Sequence, residues 1–251
     1  MTSPVIGVDI GGSGVKGAPV DLATAEFTAE RFRLPTPQPA TPRAVATAFA
    51  AVVERFPTEG AIGCTFPGIV QHGVIRSAAN MDKSWVGTDA AHGFSAAVGR
   101  PVVVLNDADA AGLAEAHYGA AKGHDGVVLV LTFGTGIGSA LLHRGELVPN
   151  TEFGHLELDG GAAEAHAAAI VREREDLSWE DWGSRVNRYL HHLELLFTPD
   201  RFVIGGGVSR KFDKFVAMLD VRAEVVPAEL RNQAGIVGAA LVASGQEPAP
   251  D

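Results

Sequence analysis

Three glycine clusters, each directly behind a run of β-type apolar residues, constrain this chain more than any other feature. Gly11–Gly17 follows Val5–Ile10, Gly134–Gly138 follows Val127–Phe133, and Gly205–Gly207 follows Arg201–Ile204. Glycine lets a backbone approach a ligand closely and turn its N–H groups toward one point, an arrangement that suits phosphate oxygens. One such cluster is explained by a tight hairpin. Three in the same position relative to a strand point to a shared phosphate-bearing ligand.

The segments between the clusters alternate strand and helix. Val5–Ile10 and the apolar stretch beyond the first cluster read as a hairpin with a glycine-rich turn. Pro35–Pro42 holds four prolines and reads as a loop, with Thr41 as a helix cap and Pro42 at the first helical position. Val45, Ala48, Phe49, Val52 and Phe56 then recur at helical spacing. Ala61–Phe66 predicts a strand, and Ile69–Ile75 a second hairpin around Gln71-His72-Gly73. Pro101–Leu105 has the pattern of a buried parallel strand, delivering Asn106-Asp107 into a helix from Ala108 to about Tyr118. Further helices are predicted over about Ala162–Glu175, Ser178–Phe197 and Gln233–Ala243. Ser178 with Asp181 resembles a capping box. The tail from Gln246 is expected to fray. Helices between strands, with glycine turns at the strand ends, define an α/β architecture with ligands at the carboxyl ends of the strands.

Composition narrows the partners. The 251 residues, 46% apolar and 20% charged, suit a globular chain of one large or two small domains. A net charge of −10 argues against bulk binding to nucleic acid or an anionic membrane. The single Cys64 excludes a disulfide framework and a cysteine-rich zinc site. Asp9 interrupts the N-terminal apolar run and no basic residue precedes Lys16, so a signal peptide is not expected and a cytoplasmic location is.

Known phosphate motifs can be tested directly. Gly12–Gly17 matches G-x-G-x-x-G, but Pro19 follows where a dinucleotide-binding fold needs a helix. No Gly-Lys dipeptide occurs, which excludes a P-loop, and no protein-kinase catalytic-loop signature is present. Asp107, at a strand end, suits a carboxylate that orients a sugar hydroxyl and accepts its proton during phosphoryl transfer; capping the following helix is its competing role. In TEFGHLEL, Glu152 and His155 form a pair able to accept from and donate to vicinal hydroxyls. Trp179 and Trp182 read as core, His191-His192 and the cluster Arg172, Arg174 and Glu175 as exposed helix face.

The set DIGGSGVKG, NDADAA, TFGTGIGSA, EFGH and IGGGVS resembles the ROK-type sugar kinases of the actin-like ATPase superfamily. More narrowly, TPQPATP, AANMDKSW, NTEFGHLELDG and PAELRNQAGIVGAA resemble the actinobacterial polyphosphate glucokinases. The resemblance runs from Val5 to about Ala243. It implies two actin-like domains with a cleft between them: residues 1–107 with the last helix, about 235–251, packing back, and residues 108–234. It implies transfer of a phosphoryl group from polyphosphate or ATP to the 6-hydroxyl of glucose, with Asp107 as general base. Asn80, Asn106, Glu152, His155 and Glu164 match sugar-contacting positions. Asp9 matches the aspartate that reaches Mg²⁺ through water. Gly11, Gly12, Ser13, Gly14 and Lys16 match the loop around the donor phosphates. Thr132, Gly134, Thr135 and Gly136 match the second phosphate motif, and Gly205, Gly206 and Gly207 the turn beside the nucleotide. The cysteine-rich zinc motif of many ROK proteins is missing here, as it is in the polyphosphate group. The family also implies a homodimer. Polyphosphate, a long polyanion, calls for a basic track, for which Lys83, Arg76 and Lys122 are candidates. The alternatives are an ATP-only sugar kinase, a sugar-responsive DNA-binding regulator, for which no N-terminal helix-turn-helix is expected before Val5, and a nicotinamide-dependent enzyme.

Overall fold

The computed structural model describes residues 3–78 and 81–246. The chain forms two compact units, Met1–Ala114 with Gln233–Asp251, and Glu115–Asn232.

In the first unit, β1 (Val5–Gly11) turns through Gly12-Ser13 into β2 (Gly14–Asp21). The short strands β3 (Glu26–Phe27) and β4 (Phe32–Leu34) both pair with β2. Helix α1 (Pro42–Val53) follows, opened by the Thr41 side chain on the Ala44 N–H, with Pro42 at the first position. Next come β5 (Ile62–Phe66), the hairpin β6 (Val70–Gln71) and β7 (Val74–Ile75), and helix α2 (Ala90–Val98). β8 (Val102–Asn106) leads straight into helix α3 (Asp107–Tyr118), within which the unit boundary falls. The sheet order is β3-β2-β1-β5-β8, with β1, β5 and β8 parallel, so their carboxyl ends share one edge. Phe49, Phe66, Trp85 and Phe94 fill the core on one side. On the other lies the chain's last helix, Ala234–Ala243, almost all of it buried. Glycines let it touch backbone: a Cβ on Gly7 would stand 1.9 Å from the Ile236 carbonyl oxygen, and one on Gly63 1.8 Å from that of Ala239. Side chains there would force the helix off the sheet.

In the second unit, β9 (Val127–Phe133), β10 (Ile137–His143) and β11 (Glu146–Val148) form an antiparallel meander. A small β12 (Glu157–Leu158) and β13 (Gly161–Ala162) pair lies beyond. Then come α4 (Glu164–Ala167), α5 (Ala169–Arg174), α6 (Trp179–Phe197), β14 (Arg201–Gly206) and β15 (Glu224–Pro227), before the last helix, α7, already described. The sheet order is β11-β10-β9-β14-β15, with β14 parallel to β9. Trp182, Tyr189, Phe202 and Phe215 anchor its core. The single helix expected over Ala162–Glu175 is instead two pieces. Ala168 is extended (ψ 153°). The Trp182 indole takes the carbonyls of Ala167 and Ala168 at 3.0 and 3.3 Å, and the Ile170 N–H is spent on the Gly134 carbonyl at 3.1 Å. Groups that would have continued the helical ladder are thus committed elsewhere. At Ser178 the hydroxyl caps the Asp181 N–H at 3.0 Å and donates to the Asp181 carboxylate at 2.8 Å, a side-chain version of the expected capping box.

Candidate active site

The antiparallel register of β1 and β2 sets Asp9 opposite Lys16, and parallel pairing sets Asp9 beside Thr65. Partners directly opposite in a sheet point to the same face. Accordingly, Lys16 Nζ lies 2.9 Å from Asp9 Oδ2, and the Thr65 hydroxyl donates to Asp9 Oδ1 at 2.9 Å. The carboxylate is thereby fixed behind the turn of the hairpin. Gly235, in the first turn of α7, stands against it: a Cβ there would lie 3.2 Å from Asp9 Oδ2. Among the described residues, no group of three or more His, Cys, Asp or Glu is arranged to hold a metal. A lone carboxylate fits Mg²⁺, which takes one or two carboxylates, keeps waters, and gains its other ligands from substrate phosphates.

At the end of β8, Asn106 does the capping. Its Oδ1 accepts the N–H groups of Ala108 and Asp109 at 2.8 and 3.0 Å, while its Nδ2 donates to the Gly68 carbonyl at 3.1 Å. It is buried. Asp107, next in line, accepts the Ala108 N–H at 2.9 Å and is only half-buried. The helix start therefore does not depend on Asp107 alone. Its carboxylate sits at the strand end, in the first turn of α3, beside a neighbour that shares the cap.

In the second unit, Glu152, His155 and Glu164 come together. His155 Nε2 lies 3.7 Å from Glu152 Oε2, and Nδ1 lies 3.5 Å from Glu164 Oε1. Glu164 Oε2 accepts the Ile137 N–H at 3.0 Å, tying this group to the turn between β9 and β10. Burial pushes the Glu152 carboxyl up; His155 opposes that shift and Glu164 adds to it. Tyr189, buried beneath, has its phenol pushed up by burial and then by Glu164. Ser139 on β10 holds the segment in place, donating to the Thr151 carbonyl at 2.7 Å and accepting the Phe153 N–H at 3.0 Å. Gly154 is glycine because a Cβ would stand 2.2 Å from the Ile137 carbonyl oxygen.

The glycine clusters divide by what holds each glycine. A Cβ on Gly14 would strike the Arg33 guanidinium at 2.5 Å, one on Gly136 the Glu164 carboxylate at 2.4 Å, and one on Gly206 the Phe133 carbonyl at 2.2 Å. Gly206, with φ 80° and backbone in the way, is demanded by the fold; at Gly14 and Gly136 the obstacle is the end of a flexible side chain. A Cβ on Gly134 or Gly207 would meet nothing within 4 Å, one on Gly11 only a carbonyl at 3.6 Å, and none of the three has positive φ. Each cluster thus retains a glycine that internal packing does not require, which is what close approach of a ligand demands. The β9–β14 register aligns Thr132 with Gly205 and Phe133 with Gly206, so the two glycine turns of this unit share one edge.

Other expected residues fall as follows. Gly12 and Ser13 form the turn of the first hairpin, and Thr135 lies exposed in that of the second. Lys83 is exposed in a short turn, Lys83–Trp85. Asn80 lies outside the described residues, as does the tail beyond Gln246. Sequence reasoning missed Thr65, Arg33 and Thr36. Thr65 and Arg33 are polar residues with no motif of their own, recruited by strand register, whereas Thr36 opens TPQPATP and reaches the hairpin from beyond β4.

A glycine-turned hairpin at the edge of parallel strands, an aspartate behind it and a carboxylate at a neighbouring strand end fit a phosphotransferase of the actin-like α/β class. Residues 5–174 match the ROK family, and the chain belongs to it. It is 55% identical to the polyphosphate glucokinase of Mycobacterium tuberculosis over 236 residues, 94% of this chain and 89% of that one. The crystal structure of the inorganic polyphosphate/ATP-glucomannokinase from Arthrobacter sp. strain KM superposes with a TM-score of 0.93 at 53% identity, covering 98% of this chain and all of that one. A ROK family glucokinase from Streptomyces griseus, in complex with glucose and AMPPNP, gives 0.84 at 26% identity, covering 96% and 99%.

Proposed function

We propose that this chain transfers a terminal phosphoryl group from inorganic polyphosphate or ATP to the 6-hydroxyl of glucose. The observation that carries the reading is Asp107: a carboxylate at the end of β8, in the first turn of α3, beside Asn106, which shares the cap. In this reading Asp107 orients the hydroxyl and accepts its proton as the new P–O bond forms. The old bridging P–O bond breaks and the shortened polyphosphate, or ADP, leaves. The Gly11–Gly14 hairpin and Lys16 hold and neutralise the donor phosphates. Gly134–Gly136 and Gly205–Gly207 serve the donor from the second unit, and Glu152, His155 and Glu164, with Asn106 and Asn80, contact the sugar. Mg²⁺, when bound with the donor, supplies further charge neutralisation, with Asp9 as the residue that would reach it through water.

The donor assignment rests on the two relatives above 50% identity, both named for polyphosphate. An ATP-only kinase is the second reading, supported by the more distant glucokinase complex with AMPPNP. The glucomannokinase raises mannose as a second acceptor, differing from glucose at one hydroxyl. No helix among the described residues is long and apolar enough to cross a membrane. A cytoplasmic location, and the homodimer that the family resemblance implies, are separate parts of this proposal. The deciding experiment is glucose 6-phosphate formation with Mg²⁺ and glucose, comparing ATP-free polyphosphate with polyphosphate-free ATP. Turnover with polyphosphate supports the reading; turnover with ATP alone transfers the function to the second reading; turnover with neither rejects both.

A further inference from the structure

Two side chains from the segment after β3 reach the turn of the first glycine hairpin, and no role has yet been given to either. β4 pairs with β2 so that Arg33 is the partner of Lys16, which is itself the partner of Asp9. Thr65, Asp9, Lys16 and Arg33 therefore form one row across four strands on one face of the sheet. From its place in that row Arg33 lies over Gly14, close enough that a Cβ there would stand 2.5 Å from Nε, and its Nη2 donates to the Ser13 carbonyl at 2.7 Å. Three residues on, the Thr36 hydroxyl donates to the Gly11 carbonyl at 2.5 Å. The carbonyls on either side of Gly12-Ser13 are thus both held by side-chain donors. A peptide unit is planar and trans, so pinning the Gly11 carbonyl points the Gly12 N–H the opposite way, while pinning that of Ser13 turns the Gly14 N–H back toward Gly11, its partner in the ladder, and fixes the shape of the turn.

We propose that Arg33 and Thr36 form a clamp that positions the Gly11–Gly14 hairpin for the donor phosphates. The clamp is independent of whether the donor is ATP or polyphosphate, because it acts on the hairpin and not on the rest of the donor. The guanidinium also brings a positive charge to the turn with no carboxylate paired to it among the described ion pairs, and its fork of N–H groups suits phosphate oxygens. Gly14 leaves room for the guanidinium to lie across it as placed.

The inference rests on the kinase reading but is tested apart from it. Arg33→Gln, Arg33→Lys and Thr36→Val are compared with the parent chain for KM and kcat toward ATP and tripolyphosphate, for glucose affinity by calorimetry, and for melting temperature. For Arg33→Gln the expected result is a rise of about tenfold in KM for both donors, with glucose affinity within twofold and the melting temperature unchanged. Arg33→Lys keeps the charge but loses the fork and recovers only part of the loss. Thr36→Val raises both donor KM values by a smaller factor, and the double variant is less than multiplicative because both residues act on one turn. Donor KM values within twofold of the parent would overturn the clamp. So would a parallel loss of glucose affinity and melting temperature, which marks a merely structural role. If the parent chain transfers no phosphoryl group, the kinase reading fails by itself. Titration of tripolyphosphate into the parent and Arg33→Gln proteins then still decides the clamp, with equal affinities overturning it.

Discussion

The glycine turn between β1 and β2 is braced by donors: Arg33 and Thr36 hold the carbonyls of Ser13 and Gly11, and Lys16 sits against Asp9. The glycine turn between β9 and β10 is braced by an acceptor: the Glu164 carboxylate takes the Ile137 N–H and lies against Gly136. In sequence the two turns look alike, each a glycine cluster behind an apolar strand. In structure the first spends carbonyls and brings cations, which suits an anion at the turn. The second spends an N–H and brings a negative charge, which it shares with His155 and Glu152. In the function proposed above both turns serve the donor, and the second is in addition tied to the group we assign to the sugar.

The largest effect that bears on this contrast concerns the residue assigned to the chemistry, not either brace. Asp107→Asn keeps an acceptor for the Ala108 N–H but loses the base. Steady-state assay should show kcat lower by about 10²–10⁴-fold, with glucose affinity retained. A kcat near that of the parent chain would remove Asp107 from the reaction and leave the two turns without a shared purpose.

Next in size is the brace of the second turn. Glu164→Ala strands the Ile137 N–H and leaves His155 with Glu152 as its one neighbouring carboxylate. A loss of about 1–3 kcal/mol is expected for a hydrogen bond broken in a partly buried site, or about 5–150-fold in kcat/KM. The comparison predicts where it appears: mainly in the glucose KM, whereas the Arg33 and Thr36 variants act on donor KM. If Glu164→Ala spares glucose and raises only donor KM, the two turns do the same work and the contrast fails.

A smaller effect tests the electrostatics of the second unit. Burial raises the Glu152 carboxyl above its ordinary range, so the folded state favours its protonated form. A raised carboxyl contributes stability that is present at low pH and lost as pH rises through the folded value. Glu152→Gln, always neutral, should therefore melt higher than the parent chain at pH 7–8, with the difference shrinking toward about pH 4, the ordinary carboxylate range. Melting curves across that interval check it. A gap that grows as pH falls would mean that His155, and not burial, dominates the site.

How much of this was legible beforehand depended on whether the cause was local. The strands beside the glycine clusters, the Thr41-Pro42 helix start and the Asn106-Asp107 strand end are written in neighbouring residues, and the structure has them. Helix α2 went unread although Asp89 caps it, accepting the His92 N–H at 2.8 Å, and Gly99 closes it with φ 67°. Its short, alanine-rich run has too little apolar periodicity to stand out. The break at Ala168 was hidden because its causes, the Trp182 indole and the Gly134 carbonyl, come from 14 and 34 residues away. For the site, the sequence pointed to Asp9 and Lys16 but not to Thr65, 56 residues from Asp9, nor to Arg33, 20 residues from Ser13. Motifs show which residues share a turn; register decides what stands behind them.

The smallest effect concerns donor choice, and it asks whether the cations of the first unit extend beyond its hairpin. Lys83 begins a short turn fixed at its two ends. Asp82 accepts the Ser84 N–H at 2.9 Å, and the buried Trp85 donates its indole N–H to the Ala40 carbonyl at 2.8 Å. The turn is rigid while the Lys83 side chain is exposed, so removing the charge should leave the fold untouched. An exposed charge contributes roughly 0.5 kcal/mol, a factor of about two to three. Lys83→Ala should raise the KM for long-chain polyphosphate by that factor and leave the KM for ATP alone, because only the polymer continues beyond the hairpin. The difference should fade as ionic strength rises and the Debye length falls from about 10 Å at 0.1 M to about 3 Å at 1 M salt. Equal effects on both donors would confine the donor-binding cations of this unit to Lys16 and Arg33. An effect on polyphosphate that persists at high salt would point instead to a direct, desolvated contact at Lys83.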